Sequence, residues 1–151
     1  MINNDERRNF IVKNFSDKSR ILNSSEIKER SLIKNHYFFR FEGSRIGCGD
    51  AIDFLIVKEG DIIKKVFFSN QEACIVSISA TNIICSWLEK QDRSFSQTNN
   101  LIMNIRKMLA REVYDLQDCK EIEVFKDINS FSNRTECFNL VIKSFDQIIR
   151  N

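Results

Sequence analysis

The sequence predicts an α+β domain, a small three-stranded antiparallel sheet with helices packed on one face. Two patterns point to it. Between Phe38 and Phe68 apolar residues fall in short runs, some alternating with charge, around one clear turn, Glu59-Gly60-Asp61. After Cys74 the apolar residues instead recur every three or four positions, the spacing of a helix face. Strands come first and helices later, the order of an α+β chain rather than of alternating βα units.

The elements follow in order. Residues 1–25 are polar and rich in Asn, Ser and Lys, and read as an N-terminal extension with a frayed start, leaving 26–151 as a single domain. Ser24-Ser25 is a plausible helix N-cap, and Ile27, Leu32, Ile33 and Tyr37 predict a helix from Glu26 to about Phe38. Phe39-Arg40-Phe41-Glu42 alternates as a half-buried strand would, which predicts a strand over Phe38 to Ile46. Asp50 to Val57 and Ile62 to Phe68 are the second and third strands. Val76, Ala80, Ile83, Ile84, Trp87 and Leu88 give one apolar face to a helix ending near Lys90. A polar connection over Gln91 to Asn99 precedes a helix marked by Leu101, Ile102, Ile105, Met108 and Leu109. Cys119 to Phe125 forms a short helix, and Phe138, Val141, Phe145, Ile148 and Ile149 mark a C-terminal one. With no Pro and only four Gly, few boundaries are strongly signalled.

Composition limits the possible functions. The chain has 151 residues, is 42% hydrophobic and contains 13 Phe, enough to bury a core in one domain. Its 23 basic and 21 acidic side chains leave a formal charge of +2, so no global field recruits nucleic acid or an anionic membrane. Arg106, Lys107 and Arg111 read as a solvated helix stripe. The longest apolar runs, such as Phe54-Leu55-Ile56-Val57, are far too short to span a bilayer, and the first residues lack the apolar core of a signal peptide. A cytoplasmic protein is expected. There is no Gly-rich phosphate loop, no G-x-S-x-G and no second His for a zincin helix.

The five cysteines carry the chemistry. An odd number without a secretory signal argues for thiols rather than a disulfide framework. Cys48 and Asp50 are two apart, so an extended backbone sends both side chains to one face, and Gly49 between them permits a close bend. Cys74 follows the hairpin; if it opens the next helix, amide groups and the helix dipole favour its thiolate. Cys137 reaches the same place from the N-terminal turn of the last helix. Spacing alone leaves two readings open, a shared metal site of three thiolates and a carboxylate or a set of small buried hydrophobes. Cys85 and Cys119 read as core thiols, and His36, the single histidine, as a capping or packing residue.

These segments resemble the SufU/IscU (NifU-like) family of iron-sulfur cluster assembly proteins. Cys48-Gly49-Asp50-Ala51-Ile52 is similar to its first motif, Gly60-Asp61-Ile62-Ile63 to its hairpin, and Cys74-Ile75-Val76-Ser77-Ile78-Ser79-Ala80-Thr81 to its helix start. Arg134-Thr135-Glu136-Cys137 resembles the third motif of the SufU branch, whose long insertion also suits the wide gap between Cys74 and Cys137. His36-Tyr37 weakly echoes an N-terminal His-Tyr. The chain departs from the pattern where Gln71-Glu72-Ala73 stands for a Gly-x-Gly and where Glu136 replaces a Lys. The resemblance implies a SufE/NifU-like fold and zinc held by Cys48, Asp50, Cys74 and Cys137. It also implies sulfur accepted from a SufS-like cysteine desulfurase and passed to downstream iron-sulfur assembly proteins. Cys48 is then the sulfur acceptor. Arg134 either stabilises thiolate charge or is a surface residue at a helix start, two readings that stand about even. The same ligands would serve an iron-sulfur cluster scaffold, or a structural zinc protein without sulfur transfer.

Overall fold

The computed structural model describes residues 3–43, 49–130 and 132–150, with the side chains of residues 130, 132 and 133 left aside. Three strands, β1 (His36–Glu42), β2 (Ala51–Glu59) and β3 (Ile62–Phe68), form one antiparallel sheet in the order β1-β2-β3. Five helices complete it: α1 (Asn4–Ser16), α2 (Ser24–Arg30), α3 (Ile75–Lys90), α4 (Phe95–Leu109) and α5 (Ser132–Arg150). A 3-10 segment, Gln117–Phe125, links α4 to α5 and is broken by a non-helical Cys119. The α+β class and the three-stranded sheet are as the sequence predicts.

The β2–β3 turn is the best-signalled feature and forms as expected. Gly60 has φ +63°, while Glu59 pairs with Ile62, so two residues close the hairpin. A positive φ at the first loop position is where glycine is needed, as in a type II′ turn. β2 is the central strand and is buried from Ala51 to Ile56. Its Ile52, Phe54 and Ile56 face the main core with α3 and α5. Phe54 has no exposed surface and meets the rings of Phe41, Phe68 and Phe145 at centroid distances of 5.9, 6.4 and 5.6 Å. On the other face the short α2 lies across the sheet, with Ile27 and Leu55 fully buried and the Arg30 guanidinium over Phe67.

Several boundaries differ from the sequence reading; Tyr37, read as helical, lies in β1, which begins at His36. α2 begins one residue past Asn23, whose side chain forms a capping box with Glu26, and stops at Arg30 instead of Phe38. Leu32 and Ile33, which suggested its continuation, are 87% and 53% exposed in the turn that follows, and Asn35 at φ 66° then redirects the chain into β1. α4 starts at Phe95 because Ser94 and Gln97 cap each other, Gln97 N donating to Ser94 Oγ at 3.2 Å and Ser94 N to Gln97 Oε1 at 2.9 Å. That S-x-x-Q signal was present in the sequence, inside the expected polar connection. The segment of the first predicted strand beyond Gly43, Ser44 to Ile46, lies outside the described residues.

The larger finding concerns the N-terminal segment. α1 packs along α3 and covers its polar side: Asn82 Nδ2 donates to the carbonyls of Asn14 and Asp17 at 2.7 and 3.2 Å. Ser77, Ser79, Thr81 and Asn82 are all fully buried, Ser77 against Asp50 and α5 and Asn82 against α1, so α3 is enclosed nearly all round, not on one face only. The sequence holds a signal for this, since no charged residue occurs between Cys74 and Leu88. Past α1, Leu22 N donates to Phe68 O and Phe68 N to Arg20 O, which covers the end of β3. Arg20 Nε and Nη2 both lie 2.6 Å from Glu89 Oε2, and the two side chains are only 10% and 13% exposed. Glu89 Oε1 also accepts from Lys65 Nζ at 3.3 Å, so one carboxylate ties the N-terminal segment, β3 and α3 together.

Removing that carboxylate leaves the Arg20 guanidinium largely buried with only Asp17 beside it, at 3.4 Å. Glu89→Ala is expected to cost about 3 kcal/mol, the range for breaking a buried pair from one side. Chemical denaturation checks this; a loss below about 0.5 kcal/mol would assign the pair to the weak surface class.

Candidate metal centre

Three elements converge at one end of the sheet. Asp50 immediately precedes β2, Cys74 is the N-cap of α3, and Cys137 lies in the second turn of α5. The Cys137 position is a correction, since α5 starts at Ser132 and not just before Cys137. Their ligand atoms, one carboxylate oxygen and two sulfurs, all lie within 4.8 Å of one another. Cys48 lies outside the described residues.

Backbone pairing explains the convergence. Gly43 N donates to Asp50 O at 2.8 Å, continuing the β1–β2 ladder, and Ala51 N donates to Glu72 O at 2.9 Å. The chain returning from the β2–β3 hairpin is thereby held against the start of β2 two residues before Cys74. Asp50 then fixes the helix itself, its Oδ2 accepting from the amide of Cys74 at 2.9 Å and from the hydroxyl of Ser77 at 2.7 Å. A carboxylate beside the first turn of a helix satisfies an N-terminal amide and faces the positive end of the helix dipole.

Ser77 is the residue that sequence reasoning did not single out as functional. Fully buried, it donates to Asp50 and lies 3.4 Å from the carbonyl of Cys137 and 3.8 Å from the sulfur of Cys74. Its signal was position alone, three residues after Cys74 on the same helical face. Gly49 gives the opposite result. A Cβ there would meet nothing within 4 Å, so no close approach in this structure requires glycine.

Electrostatics set Asp50 apart from Cys85 and Cys119. Burial pushes the Asp50 carboxyl up, but hydrogen bonds from Ser77, the Cys74 amide and the thiols of Cys74 and Cys137 outweigh it and hold the group below its ordinary value. Asp50 is an anion at neutral pH, an acceptor to both thiols. Cys85 is fully buried in the core, and desolvation drives its thiol far up. Cys119 is pushed up to about 12, chiefly by burial and then by Glu121. Both are the core thiols that the sequence predicts.

Two thiols and a carboxylate suit a borderline-soft cation. Tetrahedral zinc with these ligands places donor atoms roughly 3.5 to 4 Å apart, and the three atoms here lie within 4.8 Å of one another. Three donors leave one coordination position for a further ligand. Arg134, on the first turn of α5, is exposed. His36 begins β1, its Nδ1 2.8 Å from Lys34 O, a local turn contact. Arg106 on α4 pairs with Asp146 at 3.5 Å. Among the described residues no helix is long and apolar enough to cross a membrane.

Thiol reactivity follows from this arrangement. Among the described cysteines of metal-free native protein, a thiol reagent should modify half-buried Cys74 first, with Cys85 and Cys119 slower by at least about tenfold because their thiols are desolvated and protonated. Timed alkylation with peptide mass spectrometry reads the order. Labelling of Cys85 ahead of Cys74 would contradict the burial described above.

No protein-family model matches the chain, nor does any curated protein. Solved structures do match in fold. A Fervidobacterium islandicum AW-1 protein described as an iron-sulfur cluster assembly scaffold for the SUF system superposes with a TM-score of 0.72 at 22% identity, over 91% of this chain and 92% of that one. The N-terminal part of a nitrogen-fixing NifU-like protein from Brucella abortus gives 0.69 at 11% identity, over 93% and 90%. A hypothetical protein gives 0.72 at 14% identity, over 99% and 100%. The chain therefore has the fold found in SufU and NifU-like structures, over nearly its whole length.

Proposed function

We propose that this chain is a cytoplasmic iron-sulfur cluster assembly protein of the SufU type. In this reading Cys48, Asp50, Cys74 and Cys137 hold zinc, and the chain accepts sulfur from a SufS-like cysteine desulfurase. One observation carries the reading: the carboxylate and two thiols singled out in the sequence meet in space, on a fold shared with a SUF-system scaffold and a NifU-like protein. Zinc, when bound, keeps its ligand thiols deprotonated at neutral pH.

The chain's residues divide the work. Asp50, Cys74 and Cys137 are fixed by β2, α3 and α5, so they form the stationary part of the ligand set. Cys48, two residues before Asp50 and outside the helices that hold the other two cysteines, is the sulfur acceptor. Its thiolate attacks the terminal sulfur of the desulfurase persulfide; a new S–S bond forms on Cys48 while the old one breaks and the desulfurase cysteine leaves as thiolate. Sulfur changes hands with no external oxidant or reductant. Arg134, exposed on the first turn of α5, is the cation available to stabilise thiolate charge near Cys137.

A scaffold role is the second reading, favoured by the description of the Fervidobacterium islandicum protein as a scaffold. There the iron-sulfur cluster is cargo, assembled on the same thiolates and handed on. A purely structural zinc site is the third, with the same ligands and no transfer.

Metal analysis of tag-free protein tests the site first. About one zinc per chain is expected, retained in Cys85→Ser and Cys119→Ser and mostly lost in Cys74→Ser and Cys137→Ser. Ser77→Ala, which removes the hydroxyl that orients Asp50, should weaken zinc by about tenfold with the fold intact. Full zinc retention in both ligand variants would rule out the site.

Sulfur transfer tests the role. With a cysteine desulfurase the zinc protein should raise turnover and gain persulfide mass on Cys48, while Cys48→Ala gains none. Asp50→Ala should keep a residual rate that falls as zinc is lost. A stable cluster formed from iron and sulfide under anaerobic conditions, without any stimulation of the desulfurase, would replace relay by scaffold.

A further inference from the structure

The free edge of the sheet is the feature that the assembly chemistry leaves unused. β3 is covered at its outer side by residues 20–22 and by a bridge from Ile62 to Ser94. β1 is the other edge, paired on one side only among the described residues. Asn35 O accepts from Lys58 N, and Gly43 N donates to Asp50 O, so odd-numbered residues of β1 turn their main-chain groups toward β2. Phe38, Arg40 and Glu42 therefore direct theirs outward. Of the seven large apolar side chains that are exposed among the described residues, four fall just here, Leu32, Ile33, Tyr37 and Phe38. An uncapped edge beside exposed aromatics is a template for strand addition.

The sequence of the strand indicates what adds to it. His36-Tyr37-Phe38-Phe39-Arg40-Phe41-Glu42 is complementary to itself when read antiparallel about Phe39. We propose that β1 pairs with β1 of a second copy of this chain, two-fold symmetric about Phe39, joining two three-stranded sheets into one of six strands. In this register outward-facing residues oppose outward-facing residues, as an antiparallel ladder demands. Phe38 lies opposite Arg40 of the second copy, and His36 opposite Glu42, which pairs cation with ring and imidazole with carboxylate on one face. On the other face Tyr37 meets Phe41 and Phe39 meets Phe39, an aromatic stripe that is half open in the single chain. About six main-chain hydrogen bonds close the seam, because His36 N already donates to Ile33 O.

The pairing leaves the metal centre free. Asp50 sits opposite Gly43, four residues from the two-fold axis, so the two centres lie at opposite ends of the seam, offset by about 26 Å along it. Neither copy lends a ligand to the other. The proposal is thus independent of the assembly reading and stands or falls without it.

Sedimentation equilibrium of the full chain, combined with residue-resolved amide exchange, tests it. The expected result is a monomer–dimer equilibrium in which the amides of Phe38, Arg40 and Glu42 gain protection as concentration rises. Those of Tyr37, Phe39 and Phe41 should be protected throughout. His36→Glu sets carboxylate against carboxylate at both ends of the seam and should weaken the dimer by about tenfold. Adding Glu42→Arg should restore it, with circular dichroism confirming that both variants are folded. A chain that stays monomeric up to millimolar concentration overturns the proposal. So does a dimer whose Phe38, Arg40 and Glu42 amides exchange no more slowly than in dilute solution, or one indifferent to the charge swap.

Discussion

The candidate centre depends on one carboxylate. Asp50 joins the start of β2 to the first turn of α3 through the Cys74 amide and the Ser77 hydroxyl, and Ser77 extends the link to the Cys137 carbonyl on α5. The link runs from β2 through α3 to α5, so the position of the two sulfurs relative to each other rests on Asp50 and Ser77 and not on either helix alone. The interaction is charge-assisted and half-buried, conditions under which a hydrogen bond to a carboxylate is worth more than a neutral one. A residue whose type suggests a metal ligand is also the structural pin of the ligand set. Coordination and folding would share the same contacts.

How much of this was legible differs by the range of the interaction responsible. The Gly60 turn, β3 and the apolar positions of α3 and α5 came directly from local pattern, because turn chemistry and periodicity are written within a few residues. α1 was not legible, since its stability comes from burying the uncharged polar side of α3, and nothing within residues 1–25 announces a partner that far along the chain. α2 was overextended because Leu32 and Ile33 keep helical spacing, yet they are surface residues of a turn, and spacing carries no sign of burial. In the centre, Asp50, Cys74 and Cys137 were legible as chemistry, and the resemblance of their motifs supplied the grouping. Ser77 was not, because a serine on a helix gives no signal until its neighbours are known.

Two cysteines of one segment end in contrasting environments. Cys85 and Cys74 sit on the same segment, the first in the body of α3 and the second at its cap. In the middle of the helix the backbone amides are spent on the preceding turn, and Cys85 faces apolar neighbours that penalise any charge. At the cap the first amides have no partner within the helix, and Cys74 meets a carboxylate, a hydroxyl and a second thiol. Eleven residues of helix rise about 16 Å, which takes the chain from a polar rim to a dry core.

That division bears on why α3 is enclosed. A helix that presents reactive groups at its first turn must hold that turn still, and a helix buried on one face only can rock about its contact line. α1 removes that freedom by closing the side of α3 away from the sheet. The Arg20–Glu89 pair fastens the far end of α3 to the same N-terminal segment. The segment read in the sequence as an extension therefore ties down α3 from its middle to its C-terminal end, at Asn82 and Glu89. The helix that carries Cys74 at its cap is thus braced by residues outside the candidate centre.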